Sequence, residues 1–473
     1  MAPEPIGVEP GALQAEGPGS MPPLALAQPL RGGWEAPLLL AGTIALASFG
    51  VVTVYSASAV MAQSLGLPDY HFVVRQAAGA AMGLVLLLVI SRIDYRLWRR
   101  LAWPLVMLVA GLLILTVLPW TTTIAPLING ARRWIYIGPV SLQPVELAKV
   151  AVLIWTAALA VKKQDRLPSL TRGLLPFLVI WAVIELPIVL QPNLSSAMII
   201  VFLAGLVLFA AGARIGHFLL LGAVGLPVLW GQVEGAAYRM RRLVAFLDGA
   251  ADVEGVSYQI NQSLIAIGSG GVFGRGFGRG EQKFGFLPEA HNDFIFAMIA
   301  EEWGLLGVLA IVAAFAGIAV IGYRIARNAP DMFGFLLAIG MTNLLVVQAL
   351  LHMAVNTNLL PTTGVSLPFI SYGRSSLLVC MAAVGILLSI AREGRPGQAR
   401  RSWRNEPTTG VDVGGAGPDP VAVYRQGSPR HPVATATLRI VASGRRILRP
   451  RRGEERIVVG RTARMDTLTG VAR

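Results

Sequence analysis

The sequence predicts an all-α membrane protein with about ten transmembrane helices, a large outward loop between helices 7 and 8, and disordered termini. Three observations support this fold class. The 473 residues are 54% hydrophobic. Only 14% of them are charged, whereas about a quarter of the residues of a soluble domain are charged. Apolar stretches close to the roughly 17–25 residues that cross a bilayer recur along the chain.

Residues 1–35 lack the features of a membrane element or of a secretion signal. They are rich in Pro, Gly, Ala and Glu, and they contain one Arg and no apolar run of membrane length. The basic start of a signal peptide is missing. We therefore expect a disordered cytoplasmic N-terminus over residues 1–35.

Residues 36–392 are predicted to form the membrane domain. Ten apolar segments qualify as spans, although the second and the fourth are short. An even number of spans places both termini on the same side of the membrane. The predicted spans are 36–61, 77–90, 101–119, 147–161, 173–190, 194–212, 215–231, 293–322, 333–355 and 367–391.

The short loops between these spans differ in basic residues, and the difference predicts the orientation. Loops 91–100, 162–172, 213–217 and 323–332 hold 11 Lys and Arg residues, whereas the short loops on the other side hold three. Cytoplasmic loops carry the excess of Lys and Arg. We therefore expect a multi-pass protein with both termini in the cytoplasm and the long loop 232–292 outside.

Residues 393–473 form a basic C-terminal tail. From Arg392 to the end of the chain there are 17 Arg, no Lys and 7 acidic residues, which accounts for +10 of the net charge of +14. Such a block binds nucleic acid in some proteins, but next to a membrane it is typical of the cytoplasmic, anionic-lipid side. We expect a largely disordered cytoplasmic tail that contacts membrane lipids, and no nucleic acid partner.

Two arginines lie on the predicted outer side, against the general trend. Arg132 and Arg133 precede a helix start in which Glu146 and Lys149, three residues apart, share one face. Guanidinium groups bind phosphate oxygens with two donors at once. Two interpretations are open: an anion site, or an arginine pair at the interface together with an ion pair that fixes helix packing.

The long outer loop contains a Gly-rich part, residues 268–280, which carries Arg275 and Arg279 and is followed by Lys283. Glycines permit close approach of the backbone to a ligand. The spacing matches neither the phosphate-loop nor the dinucleotide fingerprint. The alternative interpretation is a flexible, solvated lid.

Four acids lie in or near the mouth of the eighth span, in the segment "LPEAHNDFIFAMIAEEWG" (287–304). At 100° per residue, Glu301 and Glu302 do not share the stripe of Asp293. Asp293 is therefore predicted to stand apart at the outer interface. Desolvating an acid there costs free energy, so its presence indicates a function. The alternative is that Asp293 only caps its helix.

The last span begins with a broken segment, residues 359–379, that contains Pro361, Gly364 and Pro368. Irregular backbone at membrane depth is tolerated where protein or a watery cavity surrounds it. Two charges inside predicted spans, Arg374 and Glu185, need partners, and we expect them to pair. Together these clusters suit an anionic lipid with a phosphate or diphosphate head, whether the protein moves that lipid or reacts it.

Six segments together resemble the SEDS family, the RodA and FtsW proteins of bacterial cell elongation and division. The likeness covers residues 36–392 in order. The matching segments are "GARRWIYIG…LQPVELAK", "YQINQSLIAIGSGGVFGRGFG", "LPEAHNDFIFAMIAEEWGLLG", "LPTTGVSLPFISYGRSS", "VYSASA" and "QPNLSSA".

This resemblance implies a ten-helix SEDS membrane domain and peptidoglycan glycosyltransferase activity in the bacterial cytoplasmic membrane. Such an enzyme polymerises lipid II at the outer face and releases polyprenyl diphosphate. The resemblance also implies a class B penicillin-binding protein, a transpeptidase, as partner. No organic cofactor is expected.

Position by position, the resemblance implies that Asp293 is the catalytic acid, acting as general base on the acceptor sugar hydroxyl or positioning it. Arg133, Glu146 and Lys149 would hold the diphosphate. A divalent cation, Mg²⁺ or Mn²⁺, would share that charge, although no spacing in the chain predicts a dedicated metal site. Further substrate-binding residues implied by the matching motifs are Arg132, His291, Gln143, Ser371 and Ser375.

The chain departs from the family pattern at several positions. Val145 stands at a position where the family usually has a small residue. Asn193 and Ser195 replace an acid and a glycine, and Arg374 replaces a glycine.

Two other functions remain open: a flippase for the same lipid, and a catalytically silent scaffold for division or elongation proteins. The intact Asp293 favours the enzyme, and so does the lack of an inner cluster of buried charge.

Overall fold

The computed structural model describes residues 33–128, 130–138, 140–248 and 255–394. The predicted disordered segments 1–35 and 393–473 lie almost wholly outside these residues. The regular secondary structure of the described chain is helical apart from one small hairpin, β1 (Ile135–Ile137) and β2 (Val140–Leu142). The helices are α1 (Glu35–Ser64), α2 (His71–Arg92), α3 (Arg96–Val117), α4 (Pro144–Lys162), α5 (Leu175–Leu190), α6 (Leu194–Ala210), α7 (Ile215–Glu234), α8 (Ala237–Leu247), α9 (Val256–Ser269), α10 (Ile295–Arg327), α11 (Met332–Asn356) and α12 (Arg374–Glu393).

The predicted membrane fold is confirmed. In the described ranges, nine helices are long and apolar enough to cross a membrane: α1 to α4, α5 extended by the short π-helical turn before it (together Leu170–Leu190), α7, and α10 to α12. The remaining predicted span, 194–212, corresponds to α6, an apolar helix of 17 residues. The predicted last span began too early, because residues 367–373 are irregular and α12 starts only at Arg374.

The predicted outer loop 232–292 is partly helical, and this was not predicted. The helix α7 extends to Glu234, and two further helices, α8 and α9, follow it. Eleven residues of α8 carry a strongly amphipathic pattern of arginine and apolar side chains. The helix period was therefore present in the sequence, although the segment is too short and too charged to be recognised as a span.

The centre of the bundle is formed by α4, α11 and α12, whose residues are mostly buried. The helix α2 packs along α12, α10 packs along α11, and α3 packs along α4. Small residues permit the closest of these contacts. A Cβ atom on Gly385 of α12 would lie only 2.9 Å from the Leu87 carbonyl of α2. Close backbone approach at small residues is how membrane helices associate.

The Gly-rich segment 268–280 packs on α10, where the helix is broken at Gly304 (φ 63°, ψ −160°). A Cβ atom on Gly304 would lie 2.3 Å from the Gly274 nitrogen, and one on Gly270 would overlap the Ala300 carbonyl. The close approach predicted from these glycines therefore exists. The segment approaches a helix of the same chain and is hydrogen-bonded to it, so it is not a free lid, although side chains such as Phe273 and Phe277 are exposed.

The predicted pair between Arg374 and Glu185 is wrong. Arg374 begins α12 beside the hairpin and donates from Nη2 to the Ser141 hydroxyl at 3.2 Å. Both carboxylate oxygens of Glu185 are buried without a hydrogen-bond partner in the described part of the chain. Periodicity gives the face of a helix but not which other helix lies against it, so it could not test this pair.

A candidate active site at the Asp293 end of the bundle

Asp293 lies in the turn that leads into α10. The carbonyl of Glu289, a residue with φ of 55°, accepts hydrogen bonds from the N–H groups of Asn292 and Asp293, both at 3.0 Å. A positive φ is unusual for glutamate and is a feature of strained functional segments. The residue that caps α10 is Phe294, and no side-chain cap bond is formed. The alternative role of Asp293 as a helix cap is therefore excluded.

Asn356, at the end of α11, accepts a hydrogen bond from the first turn of α10, as a helix-capping side chain would. Its Oδ1 accepts from the Ala297 N–H at 3.2 Å, and its Nδ2 donates to the Asp293 carbonyl at 3.1 Å. The backbone around Asp293 is thus bound by another helix. In the described ranges, no hydrogen bond or ion pair engages the Asp293 carboxylate, which remains available to a ligand.

His291 and Ser371 hold this turn in place. The Ser371 hydroxyl donates to the Asn292 carbonyl at 2.8 Å and accepts from the Leu367 N–H at 2.8 Å. The buried His291 ring contacts the rings of Phe72 and Tyr372. Burial lowers the pKa of His291, although the nearby Glu289 charge opposes that shift. Both predicted site residues therefore lie next to Asp293, in contacts that fix its segment.

The electrostatic surroundings favour a proton acceptor at Asp293. Burial, and then the negative charge of Glu289, raise its pKa from 3.8 to about 6, while Arg242 acts in the opposite direction. A carboxylate with a pKa just below neutral is mostly ionised at pH 7 and still accepts a proton readily.

A cavity of about 480 Å³ opens at this end of the bundle, and we call it the arginine cavity. One part of its wall is cationic and the other is apolar. No acid is present in its lining, and at position 193 the lining residue is an asparagine. Its cationic part consists of Arg133, Arg239 and Arg242, with the neutral Tyr238 among them, and its apolar part includes Met198, Phe202, Leu243, Val347 and Leu351.

The guanidinium of Arg133 is already partly engaged. Its Nε donates to the Gln191 carbonyl at 3.1 Å and its Nη2 to the Pro192 carbonyl at 2.7 Å. The Tyr238 hydroxyl donates to the same Pro192 carbonyl at 2.9 Å. Burial lowers the pKa of Arg133, and the charges of Arg242 and Arg239 lower it further. Nη1 is the nitrogen left for an anion in this conformation.

Arg242 connects the arginine cavity with Asp293. Its Nη1 donates to the Thr362 carbonyl at 3.1 Å, and its charge acts on the Asp293 carboxyl. Thr362 lines the cavity. Two residues further, a Cβ atom on Gly364 would lie 3.7 Å from Asp293 Oδ2. Asp293 therefore sits behind the 362–364 segment, next to the cavity rather than on its wall.

Sequence reasoning missed Tyr238, Arg239 and Arg242. A signal was present in "YRMRRL", because positions 238 or 239 and 242 share one face of a helix. In the structure α8 places all three side chains toward the cavity. Arg241, between them, is exposed.

Arg132, Gln143 and Ser375 lie near this end but do not line the arginine cavity. The Arg132 Nη1 donates to the Leu118 carbonyl at 3.0 Å, and its side chain lines a separate cavity of about 280 Å³. The Gln143 N–H donates to the Ser375 hydroxyl at 3.1 Å, which joins the start of α4 to α12. Their predicted contacts with substrate remain predictions.

Glu146 and Lys149 form a buried ion pair within α4, with 2.7 Å between Lys149 Nζ and Glu146 Oε1. The amide of Gln348 on α11 lies beside the ammonium group. Neither residue lines the arginine cavity. This geometry matches the second interpretation of the sequence, an ion pair that fixes packing, and a role in holding diphosphate remains a prediction.

The deeper acids of the "AEEWG" segment are separate from Asp293, as their helical positions predict. Glu302 accepts from Lys283 Nζ at 3.0 Å and from the Ser56 hydroxyl at 2.5 Å. Glu301 accepts from the backbone N–H of Glu281 at 2.7 Å. Both acids tie the loop to α10.

The described residues contain no group of three or more His, Cys, Asp or Glu side chains that could hold a metal ion. Near Asp293 the one carboxylate whose charge acts on it is that of Glu289. Mg²⁺ and Mn²⁺ require about six oxygen ligands. The two carboxylates fit such an ion only in part, and a substrate diphosphate would have to contribute further oxygens.

Known proteins share both the sequence and the fold of this chain. The family model FTSW_RODA_SPOVE, described as "Cell cycle protein", matches residues 37–396. A "Probable peptidoglycan glycosyltransferase FtsW" of Trichlorobacter lovleyi is 43% identical over 354 residues, which cover 75% of this chain and 92% of the relative. "Stage V sporulation protein E" of Bacillus subtilis is 39% identical over 358 residues, which cover 76% and 97%.

Two solved structures resemble the fold at 27% sequence identity. One belongs to a peptidoglycan synthase complex that coordinates polymerization and crosslinking, with a TM-score of 0.64 and coverage of 78% of this chain and 99% of that one. The other is the rod shape determining protein RodA of Thermus thermophilus, with a TM-score of 0.56 and coverage of 77% and 98%.

Proposed function

The chain belongs to the FtsW, RodA and SpoVE family of cell cycle proteins, and from this premise we propose that it polymerises lipid II with Asp293 as general base. It is a multi-pass protein of the inner membrane and a peptidoglycan glycosyltransferase. The observation that carries the proposal is the position of the free Asp293 carboxylate beside Arg242 and the arginine cavity.

In the proposed reaction, a sugar hydroxyl of the acceptor attacks the anomeric carbon of the donor. The hydroxyl proton passes to Asp293 as the new glycosidic bond forms. The bond between the anomeric carbon and the diphosphate oxygen breaks, and polyprenyl diphosphate leaves with the electron pair. Arg239, Arg242 and Nη1 of Arg133 would bind the negative charge that develops on that diphosphate.

The arginine cavity supports an amphiphilic substrate. Its cations have no acid partner within 4.0 Å among the described residues, so they attract an anion. Its apolar wall, formed in part by Met198, Phe202 and Leu351, suits the hydrocarbon chain that follows the diphosphate. A volume of about 480 Å³ accommodates the diphosphate and the first units of the polyprenyl chain, and the remainder of the chain would lie in the bilayer.

A divalent cation remains a proposal. Asp293 and Glu289 would hold a Mg²⁺ or Mn²⁺ ion together with oxygens of the diphosphate, and the ion would supply Lewis-acid stabilisation of the leaving group. The arginines need no such ion in order to bind the anion.

We further propose that the Asp293 end faces outward, with both termini in the cytoplasm and a class B penicillin-binding protein as partner. The excess of Lys and Arg in the loops at the opposite end supports this orientation. The likeness to a synthase complex that combines polymerization with crosslinking supports a transpeptidase partner.

The test is a polymerisation assay in liposomes with labelled lipid II, with and without the partner. We expect Asp293→Asn to abolish chain growth while expression and lipid binding stay near those of the parent. Asp69→Asn is the matched control, because Asp69 is a carboxylate at the same end of the bundle that makes only one long, exposed hydrogen bond.

Three outcomes would contradict the proposal. Equal chain lengths from Asp293→Asn and the parent would remove Asp293 from the mechanism. Transfer of lipid between leaflets without chain growth would indicate a flippase. Neither activity, in protein that binds its partner, would indicate a scaffold.

A further inference from the structure

Six exposed apolar side chains meet where the Gly-rich segment crosses α10, and we call them the aromatic patch. Phe273, the most exposed of them, leaves 81% of its surface uncovered by the described chain. The loop contributes half of the patch and α10 the other half. The members are Val272, Phe273, Phe277, Trp303, Leu305 and Leu306.

Backbone hydrogen bonds hold this loop against the break in α10. Because Gly304 is not helical, the N–H groups of residues 305–306 donate to the carbonyls of residues 271–272, at 2.9 and 3.3 Å. The helix carbonyls of residues 301–302 accept instead from the N–H groups of residues 275–276, at 2.9 and 3.0 Å. Two N–H groups and two carbonyls at the break thus find partners in the loop, as irregular backbone requires at the level of a membrane.

The length of α10 indicates where the break at Gly304 lies relative to the membrane. Its part beyond Gly304, residues 305–327, is about 34 Å long at 1.5 Å per residue. The hydrocarbon core of a bilayer is about 30 Å thick. Arg324 and Arg327 mark the far end of this part. Residues 303–306, and the loop bound to them, therefore lie at the membrane boundary on the Asp293 side.

The chemistry of the patch is that of a membrane interface. The Trp303 ring contacts Phe49 of α1 with 5.5 Å between ring centroids, and Phe277 of the loop with 6.3 Å. Tryptophan and other amphipathic aromatic residues concentrate at the headgroup level. The patch also continues into the apolar face of α10, since Leu309 and Val312 are exposed next along the helix.

We propose that residues 272–277 are a membrane anchor, in which Phe273 and Phe277 insert into the boundary between headgroups and acyl chains of the leaflet at the Asp293 end. A lipid surface is the favoured occupant because the patch is continuous with a face of α10 that itself crosses the membrane. The loop then runs through the buried Lys283–Glu302 pair to residues 287–293. The anchor would therefore tie the segment that carries Asp293 to the membrane boundary.

The test measures the depth of a fluorophore attached at residue 273. The chain has one cysteine, so Cys380→Ala provides the background for Phe273→Cys. The labelled protein is placed in vesicles of phosphatidylethanolamine and phosphatidylglycerol that contain a spin-labelled lipid. Two control positions give the scale: Leu309→Cys on the membrane face of α10, and Glu281→Cys on the loop, where the side chain is exposed and bound to Arg275.

We expect the label at 273 to lose most of its fluorescence to a spin label near the headgroups and little to one deep in the acyl chains. The label at 309 should show the reverse, and the label at 281 should respond only to iodide in the water. The anchor would be overturned if the label at 273 behaved like the label at 281. It would also be overturned if neither the lipid spin labels nor iodide quenched the label at 273, and this result would indicate that protein covers the residue. Phe277→Cys repeats the measurement independently, and neither reading depends on whether lipid II is the substrate.

Discussion

Asp293 keeps a free carboxylate because other residues bind the backbone around it. Asn356 bonds to its carbonyl and to the first turn of α10, and Ser371 bonds to the carbonyl of the preceding residue. The carboxylate is therefore held in position while its oxygens make no structural hydrogen bond in the described chain. This is the arrangement that a general base needs, since its acceptor oxygens must reach the substrate hydroxyl.

Arg242→Gln should move the acid limb of the pH profile of polymerisation upward. Asp293 acts as base only when ionised, so in the parent the rate should fall as the pH drops through about 6. The Arg242 cation stabilises that ionised form. Its removal raises the pKa of Asp293 further, and the fall should begin at a higher pH. The measurement is the rate of chain growth between pH 5 and 8.

Arg241→Gln is the matched control for that experiment. It removes the same charge from the neighbouring position on α8, but Arg241 is exposed and does not line the arginine cavity. Its pH profile should coincide with that of the parent. An equal shift in both variants would mean that the overall charge of α8, rather than the specific effect of the Arg242 charge on Asp293, sets the profile.

The helix α4 contains the clearest conflict between pattern and geometry. Glu146 and Lys149 match motif positions that imply diphosphate binding, yet the structure buries both side chains against each other. Removal of one member of a buried pair leaves an uncompensated charge and costs about 3–5 kcal/mol. Lys149→Met should therefore lower the melting temperature in detergent, and Glu146→Leu/Lys149→Met should recover much of the loss.

A direct role in substrate binding would give a different result. In that case Lys149→Met would leave the melting temperature near that of the parent and weaken the binding of lipid II. The double variant would then bind lipid II no better than the single one. Thermal unfolding and lipid binding on the same preparations separate the two roles.

The sequence predicted the elements that hydropathy alone determines. The ten spans follow from apolar length, and all ten are helices at the expected places. It did not predict α9 or the hairpin, because these elements are short and their stability comes from tertiary contacts rather than from their own pattern. The helix period of α8 was present in the sequence, but the segment was too short and too charged to be recognised as a span. Pro368 indicated an irregular backbone at the start of the last span, but the predicted span 367–391 still included that residue in the helix.

The candidate site was predictable in part. Asp293 was identified from the motif that surrounds it and from the cost of an acid at a membrane surface. The neighbouring Arg242 was not, since about 50 residues and the helix α9 separate it from Asp293 along the chain. The pairing of Arg374 with Glu185 failed for the same reason. Long-range contacts depend on how the helices pack, and periodicity carries no information about that.

At the scale of the whole molecule, the two ends of the bundle differ in how their basic residues are placed. The opposite end carries basic residues of the short loops, such as Arg99 and Arg327, whereas the Asp293 end carries the arginine cavity. If the Asp293 end faces outward, a membrane-impermeant maleimide should label Arg241→Cys on intact spheroplasts. It should label Arg99→Cys, which is also exposed, only after permeabilisation. The reverse pattern would invert the orientation.

The decisive measurement is the dependence of the chain-growth rate on lipid II concentration for Asp293→Asn and Arg239→Gln, side by side. Loss of the general base should lower kcat by about 10²-fold or more and leave KM near that of the parent. Loss of one cavity cation should raise KM by about tenfold with a smaller effect on kcat. If Asp293→Asn retains the parent's kcat, or if both variants change only KM, Asp293 binds substrate but does not carry the reaction.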